Sequence, residues 1–154
     1  MANQPMTRSN LRFDGSLWVN LDIALRRLDQ VIGHMLSAID ISIIEWYILR
    51  ALYEQDGQHA SELAHAVGRA ATSFTPNLDK LQNKGLIERR PDPSDRRAVH
   101  IYLTEKGRRY ETDVIRSADE IDEMLRQRLH GYDLESFLDL IYVIQTLDKS
   151  EDEE

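Results

Sequence analysis

No cysteine occurs among the 154 residues, so the chain has no disulfide, no thiolate metal site and no thiol redox switch. Long apolar runs are missing as well. No stretch of 18 consecutive apolar residues offers a membrane span, and the polar, mixed first fifteen residues lack the apolar segment of a secretory leader. These absences predict a cytoplasmic protein with no membrane partner. There is also no glycine-rich phosphate loop, no nucleophile elbow and no metalloprotease helix, which argues against an enzyme. The five histidines, His34, His59, His65, His100 and His130, are scattered along the sequence, and His59 and His65 fall off a common helix face. Neither a metal centre nor a cofactor is expected.

An excess of positive charge is missing too. The net charge is −8, which at first sight opposes a nucleic-acid partner. Its distribution changes the reading. Residues 1–68 hold 5 Lys/Arg against 8 Asp/Glu, residues 69–109 hold 10 against 5, and residues 110–154 hold 4 against 14. A basic middle therefore lies between acidic flanks, and a local basic surface is what phosphate binding needs.

Apolar periodicity supplies the elements. Leu17, Leu21, Leu25, Leu28, Ile32, Met35 and Ile39 predict one long helix over 17–39. Ser42 and Glu45 form a capping box ahead of a helix over 43–54, which Asp56-Gly57 closes. Ala60, Leu63, Ala64 and Val67 mark a short helix with Gly68 as its stop. Phe74, Leu78 and Leu81 stripe a fourth helix over 70–84, ended by Gly85. Strands follow at 86–90 and 99–103, separated by the turn-rich PDPSDRR segment at 91–97. Thr104 caps a fifth helix reaching Leu129, and Asp133 caps a sixth reaching Leu147. The expected fold is mainly α with a small β-hairpin wing: a winged helix-turn-helix plus N- and C-terminal dimerisation helices. The divisions are an N-terminal dimerisation helix at 16–40, a DNA-binding domain at 41–104, C-terminal dimerisation helices at 105–149 and an acidic tail at 150–154. The outer helices are too apolar to be covered by the central unit alone, which predicts a homodimer.

The helix over 70–84 turns Arg69, Thr72, Pro76 and Asn83 away from its apolar stripe, flanked by Ser73, Thr75, Asp79 and Lys80. Hydroxyl side chains near a helix N-terminus suit base edges and phosphates in a major groove. Pro76 removes the N–H that would reach the Thr72 carbonyl, so it bends the helix or presents an apolar wedge. Arg96 and Arg97, with Asp95 to hold a guanidinium, suit insertion of the hairpin tip into a narrow minor groove.

Trp46 with Leu49, Leu63-Ala64, Thr75, Leu78 to Leu81, the KGLIERR segment at 84–90, Asp95 to Arg97 and the LTEKG segment at 103–107 together resemble the MarR family of winged-helix regulators. The resemblance implies a sequence-specific DNA-binding repressor, with the helix over 70–84 in the major groove and Arg96 or Arg97 in the minor groove. It also implies a homodimer on double-stranded, pseudo-palindromic operator DNA. Arg69, Thr72, Ser73, Thr75, Pro76, Lys80, Arg96 and Arg97 are the expected DNA contacts, with Asp95 and Arg90 supporting the wing. A small effector, aromatic acids included, is implied between the dimerisation helices and the winged helix, with Trp18, Trp46, Tyr47 and Arg50 as candidate contacts. Asn77 departs from the apolar residue usual at its position. The competing reading is a winged-helix protein-interaction module without DNA binding. Arg96 and Arg97 argue against it, having no packing role in the sequence pattern.

Overall fold

The computed structural model describes residues 11–67, 71–92 and 98–147, with only the backbone of residues 71–73. It divides into two compact units, residues 1–118 and 119–154. In chain order the elements are α1 (Leu17–Leu36), α2 (Ile43–Glu54), β1 (Gln58–His59), α3 (Ala60–Ala66), α4 (Ala71–Asn83), β2 (Ile87–Pro91), β3 (Val99–Leu103), α5 (Glu105–Arg109), α6 (Glu111–Arg128) and α7 (Leu134–Gln145). The expected mainly helical, winged architecture is what the chain adopts.

Helix boundaries follow local chemistry. Ser42 accepts a hydrogen bond from the Glu45 N–H, and Glu45 accepts one from the Ser42 N–H at 2.6 Å, so the capping box is closed in both directions. Thr104 caps α5 by accepting from Gly107, and Asp133 caps α7 by accepting from Ser136. Gly85, at φ +70°, takes the left-handed conformation that ends α4.

Three expectations are corrected. The first helix ends at Leu36 rather than Ile39, and Ser37–Ile39 form a 3-10 turn that Asp40 closes at φ 51°. Aspartate tolerates that left-handed conformation better than most residues. The single helix expected after Thr104 is two helices, interrupted at Tyr110. The Tyr110 N–H is shared between the carbonyls of Lys106 at 3.1 Å and Gly107 at 3.2 Å. The Val114 N–H still reaches the Tyr110 carbonyl, so the apolar stripe crosses the break in register. Third, the hairpin gains a partner. β1 pairs antiparallel with β3, giving a three-stranded sheet of order β1-β3-β2.

In the first unit α2 is the centre of packing, touching α1, α3, α4 and β3. Its Ile48, Leu49 and Leu52 are fully buried together with Leu36, Leu63 and Leu81. Burial of such side chains contributes about 2 kcal/mol each. The α4 stripe of Phe74, Leu78 and Leu81 is buried, as its spacing predicts. The α7 helix stays largely uncovered in the protomer, with Leu138, Leu140, Tyr142 and Val143 all more than half exposed. No single helix among the described residues is long and apolar enough to cross a membrane.

Candidate nucleic-acid interface

With its apolar stripe turned into the core, α4 presents Thr75, Pro76, Asp79 and Lys80 to solvent. Asn77 is buried instead, and its Oδ1 accepts from the Ser42 hydroxyl at 3.3 Å. This contact ties the middle of α4 to the N-terminus of α2 and gives the unusual asparagine a structural partner. Arg69, Asp95, Arg96 and Arg97 lie outside the described residues, as do the side chains of Thr72 and Ser73.

Around α4 most charges are already paired. Arg89 on β2 meets Asp79 at 2.7 Å and donates to Gln82 Oε1 at 2.8 Å, clamping the wing strand to the helix. Arg90 lies over the Tyr102 ring at 4.4 Å and pairs with Glu88, an arrangement that holds its guanidinium against the sheet. At the C-terminal end of α4, Lys84 donates to the Asp40 carbonyl and to Glu45 Oε2. Lys80 is exposed on the same helix and takes part in none of these pairs.

The wing is anchored at its base. The Asp56 carboxylate accepts from the Gly57 N–H at 3.0 Å and the Leu103 N–H at 2.8 Å, and it pairs with Arg108 at 2.7 Å. The Asp92 N–H donates to the Ala98 carbonyl at 3.0 Å, closing the hairpin below its tip. On one face of this sheet His59, Asp92 and His100 converge, with ligand-capable atoms all within 4.8 Å of one another. His100 Nε2 is 2.8 Å from Asp92 Oδ2, and Nδ1 is 2.7 Å from the Gly57 carbonyl. The hydrogen bond to Asp92, and then the one to Gly57, hold the imidazole pKa above its ordinary value. Sequence reading missed this cluster because His59 and His100 come from two strands, one of them unrecognised, and Asp92 from the residue after β2. The signal is the β1–β3 register, which sets His59 opposite His100.

The candidate effector residues divide. Trp46, Tyr47 and Arg50 cluster on α2, with the two rings edge to face at 5.2 Å and the Arg50 guanidinium 5.8 Å from the indole centre. The Trp46 indole N–H is already engaged by the Val114 carbonyl at 3.1 Å and the Ser117 hydroxyl at 3.0 Å. Trp18, in the first turn of α1, is 74% exposed. A separate open cleft of about 500 Å³ lies between α1, the start of α2 and α4, lined by Asp29, Gly33, Ser42, Ile43, Ile44, Asn77 and Lys80. None of the four candidates is among its lining residues.

Residues 41–99 match the model of the MarR family. Transcriptional regulator HosA of Escherichia coli O111:H- is 28% identical over 102 residues, which are 66% of this chain and 76% of that protein. Among solved structures, a probable transcriptional regulator from Pseudomonas aeruginosa superposes with a TM-score of 0.73 at 21% identity, over 86% of this chain and 99% of that one. A mutant MarR from E. coli complexed with operator DNA gives a TM-score of 0.73 at 22% identity, over 83% of this chain and 92% of that one. The PcaV regulator of Streptomyces coelicolor gives a TM-score of 0.68 at 20% identity, over 80% of this chain and 93% of that one. HosA, the Pseudomonas protein and PcaV are each described as a transcriptional regulator. The matched segment spans the helix-turn-helix and reaches into the wing, so this part of the chain is similar to the MarR family, and the chain as a whole shares the fold of these solved regulators.

Proposed function

We propose that the chain is a homodimeric repressor that binds a pseudo-palindromic operator in double-stranded DNA and releases it when a small ligand binds. One observation carries the DNA reading. The α4 helix buries Phe74, Leu78 and Leu81 and turns Thr75, Pro76 and Lys80 outward beside a hairpin clamped to it through Arg89 and Asp79. In this reading α4 enters the major groove with Arg69, Thr72, Ser73, Thr75, Pro76 and Lys80 facing the DNA. Arg96 and Arg97 reach the minor groove, with Asp95 and Arg90 as their support. The operator complex of the E. coli relative supports it. A DNA-bound regulator of this kind works in the cytoplasm.

The dimer reading rests on uncovered apolar surface. Leu17 and Trp18 on α1, and Leu138, Leu140, Tyr142 and Val143 on α7, are more than half exposed in the protomer. Apolar exposure of this kind on each of the two helices marks an interface. Segments 16–40 and 105–149 then serve dimerisation, 41–104 serves DNA binding and 150–154 is an acidic tail. For the effector, the cleft touching both α1 and α4 links occupancy to the reading helix more directly than the Trp46, Tyr47 and Arg50 cluster does. Trp18 belongs with the exposed apolar residues of α1.

A gel-shift titration with the DNA upstream of the gene, repeated across salt concentrations, tests the reading. A log–log slope well below zero is expected, and each removed phosphate contact lowers its magnitude by about 1. Arg96→Ala/Arg97→Ala weakens binding while sedimentation still reports a dimer. Unchanged affinity removes the wing from the interface, and a flat salt dependence favours a protein-interaction module.

A further inference from the structure

We propose that His59, Asp92 and His100 form a binding site for a divalent transition ion of the zinc class at the base of the wing. The site stands on its own geometry and does not depend on the DNA-binding reading.

Two strands and the residue that follows a third contribute one ligand each. His59 ends β1, His100 lies opposite it in β3, and Asp92 follows the last residue of β2. The His59 and His100 rings lie 3.9 Å apart between centres, tilted by 40°. All three residues are partly buried, so the ligand atoms are restrained without being sealed from solvent. His100 is oriented as metal-binding imidazoles are. Its Nδ1 is fixed by a backbone carbonyl, that of Gly57 at 2.7 Å, and its Nε2 is aimed at the carboxylate. An ion bound there replaces the proton that Nε2 and Asp92 now share. In a tetrahedral site with metal–ligand bonds of about 2 Å, ligand atoms sit about 3.3 Å apart. The His100–Asp92 separation of 2.8 Å needs to open only slightly to reach this.

Ligand chemistry selects the ion. Two imidazole nitrogens and one carboxylate suit zinc and its transition-metal neighbours, and leave a fourth position for water. Calcium and magnesium require mostly oxygen ligands. The ion would join β1, β2 and β3 at one point, four and five residues before Arg96 and Arg97 in sequence.

Cobalt(II) is the spectroscopic probe and zinc its competitor, added to the intact protein. We expect one cobalt per protomer with the visible absorption of a four-coordinate site, displacement by zinc, and a rise in Tm on zinc addition. His59→Ala leaves the His100–Asp92 pair in place and lowers affinity at least about tenfold, as does Asp92→Asn. His34→Ala and His130→Ala, at histidines outside the cluster, leave affinity unchanged. Equal affinity in wild type and His59→Ala, or no uptake at millimolar metal, overturns the proposal. Because His59→Ala keeps the hairpin contacts of His100, poor folding of a His100 variant does not blunt the test.

Discussion

The Lys84 ammonium, at the C-terminal end of α4, sits 3.2 Å from Oε1 of Glu45, whose side chain is 3% exposed at the start of α2. The same carboxylate closes the α2 capping box through Oε2. One acid therefore caps one helix and fixes the end of another. Breaking such a pair from one side strands a buried charge, at a cost of about 3 kcal/mol. Lys84→Met is expected to lower unfolding free energy by about that amount in urea titrations. Lys84→Arg is expected to retain part of the pair. A loss within a few tenths of a kcal/mol for Lys84→Met refutes the role given to this contact.

Trp46 ties α2 to α6 through its indole N–H, shared between the Val114 carbonyl and the Ser117 hydroxyl. Trp46→Phe keeps most of the apolar body and removes the donor. The Val114 carbonyl still accepts from Ser117 at 2.7 Å, so the loss is expected at about 1–2 kcal/mol. Urea titration of the variant checks the size of this loss.

Two glycines make opposite predictions. A Cβ at Gly107 would lie 2.0 Å from the Leu86 carbonyl oxygen, a backbone atom with no side-chain freedom to retreat. Gly107→Ala is expected to cost more than about 3 kcal/mol, or to prevent folding. A Cβ at Gly33 within α1 meets nothing nearer than Ile43 Cδ1 at 3.9 Å. Gly33→Ala is expected to raise stability by about 0.5–1 kcal/mol, because it restricts the unfolded chain and suits a helix interior. Thermal melts of both variants check the pair.

Two of the six tyrosines should resist ionisation. Tyr53 donates to the Gly107 carbonyl at 3.0 Å, and Tyr110 donates to the Ile39 carbonyl. Burial, followed by neighbouring carboxylates, pushes both phenols above the ordinary tyrosine range. With folded values above unfolded ones, their contribution to stability is complete below about pH 10 and is lost as pH rises through the raised values. Near-ultraviolet titration of the wild type against Tyr53→Phe and Tyr110→Phe should show these two phenolates appearing only with alkaline unfolding. Six ionising together in the native protein contradicts the assignment.

Helices were the most legible part of the sequence because burial imposes a period on them, and Phe74, Leu78 and Leu81 are buried as their spacing requires. Capping chemistry placed the starts of α2 and α7 for the same local reason. The break at Tyr110 left no trace, since Tyr110 and Val114 stay four apart on one stripe whether or not a residue between helices intervenes. Strand β1 was invisible because two residues cannot show alternation, and with it went the meeting of His59 and His100. Asn77 looked only like a departure from pattern. Its reason, the Ser42 hydroxyl, is supplied by a helix 35 residues earlier. The expected DNA contacts Arg69, Arg96 and Arg97 and the wing residue Asp95 fall outside the described residues.

Asp56 stitches the turn ahead of α3 to the end of β3, and β1 extends that seam by pairing with Ile101 and His100. A hairpin displaced in any direction therefore drags the entrance of the helix-turn-helix with it. The molecule behaves there as a gauge, with its span between helix and hairpin set at folding and unavailable for adjustment afterwards. Adding one residue between Gln55 and Gln58 would reset that gauge while leaving every helix intact.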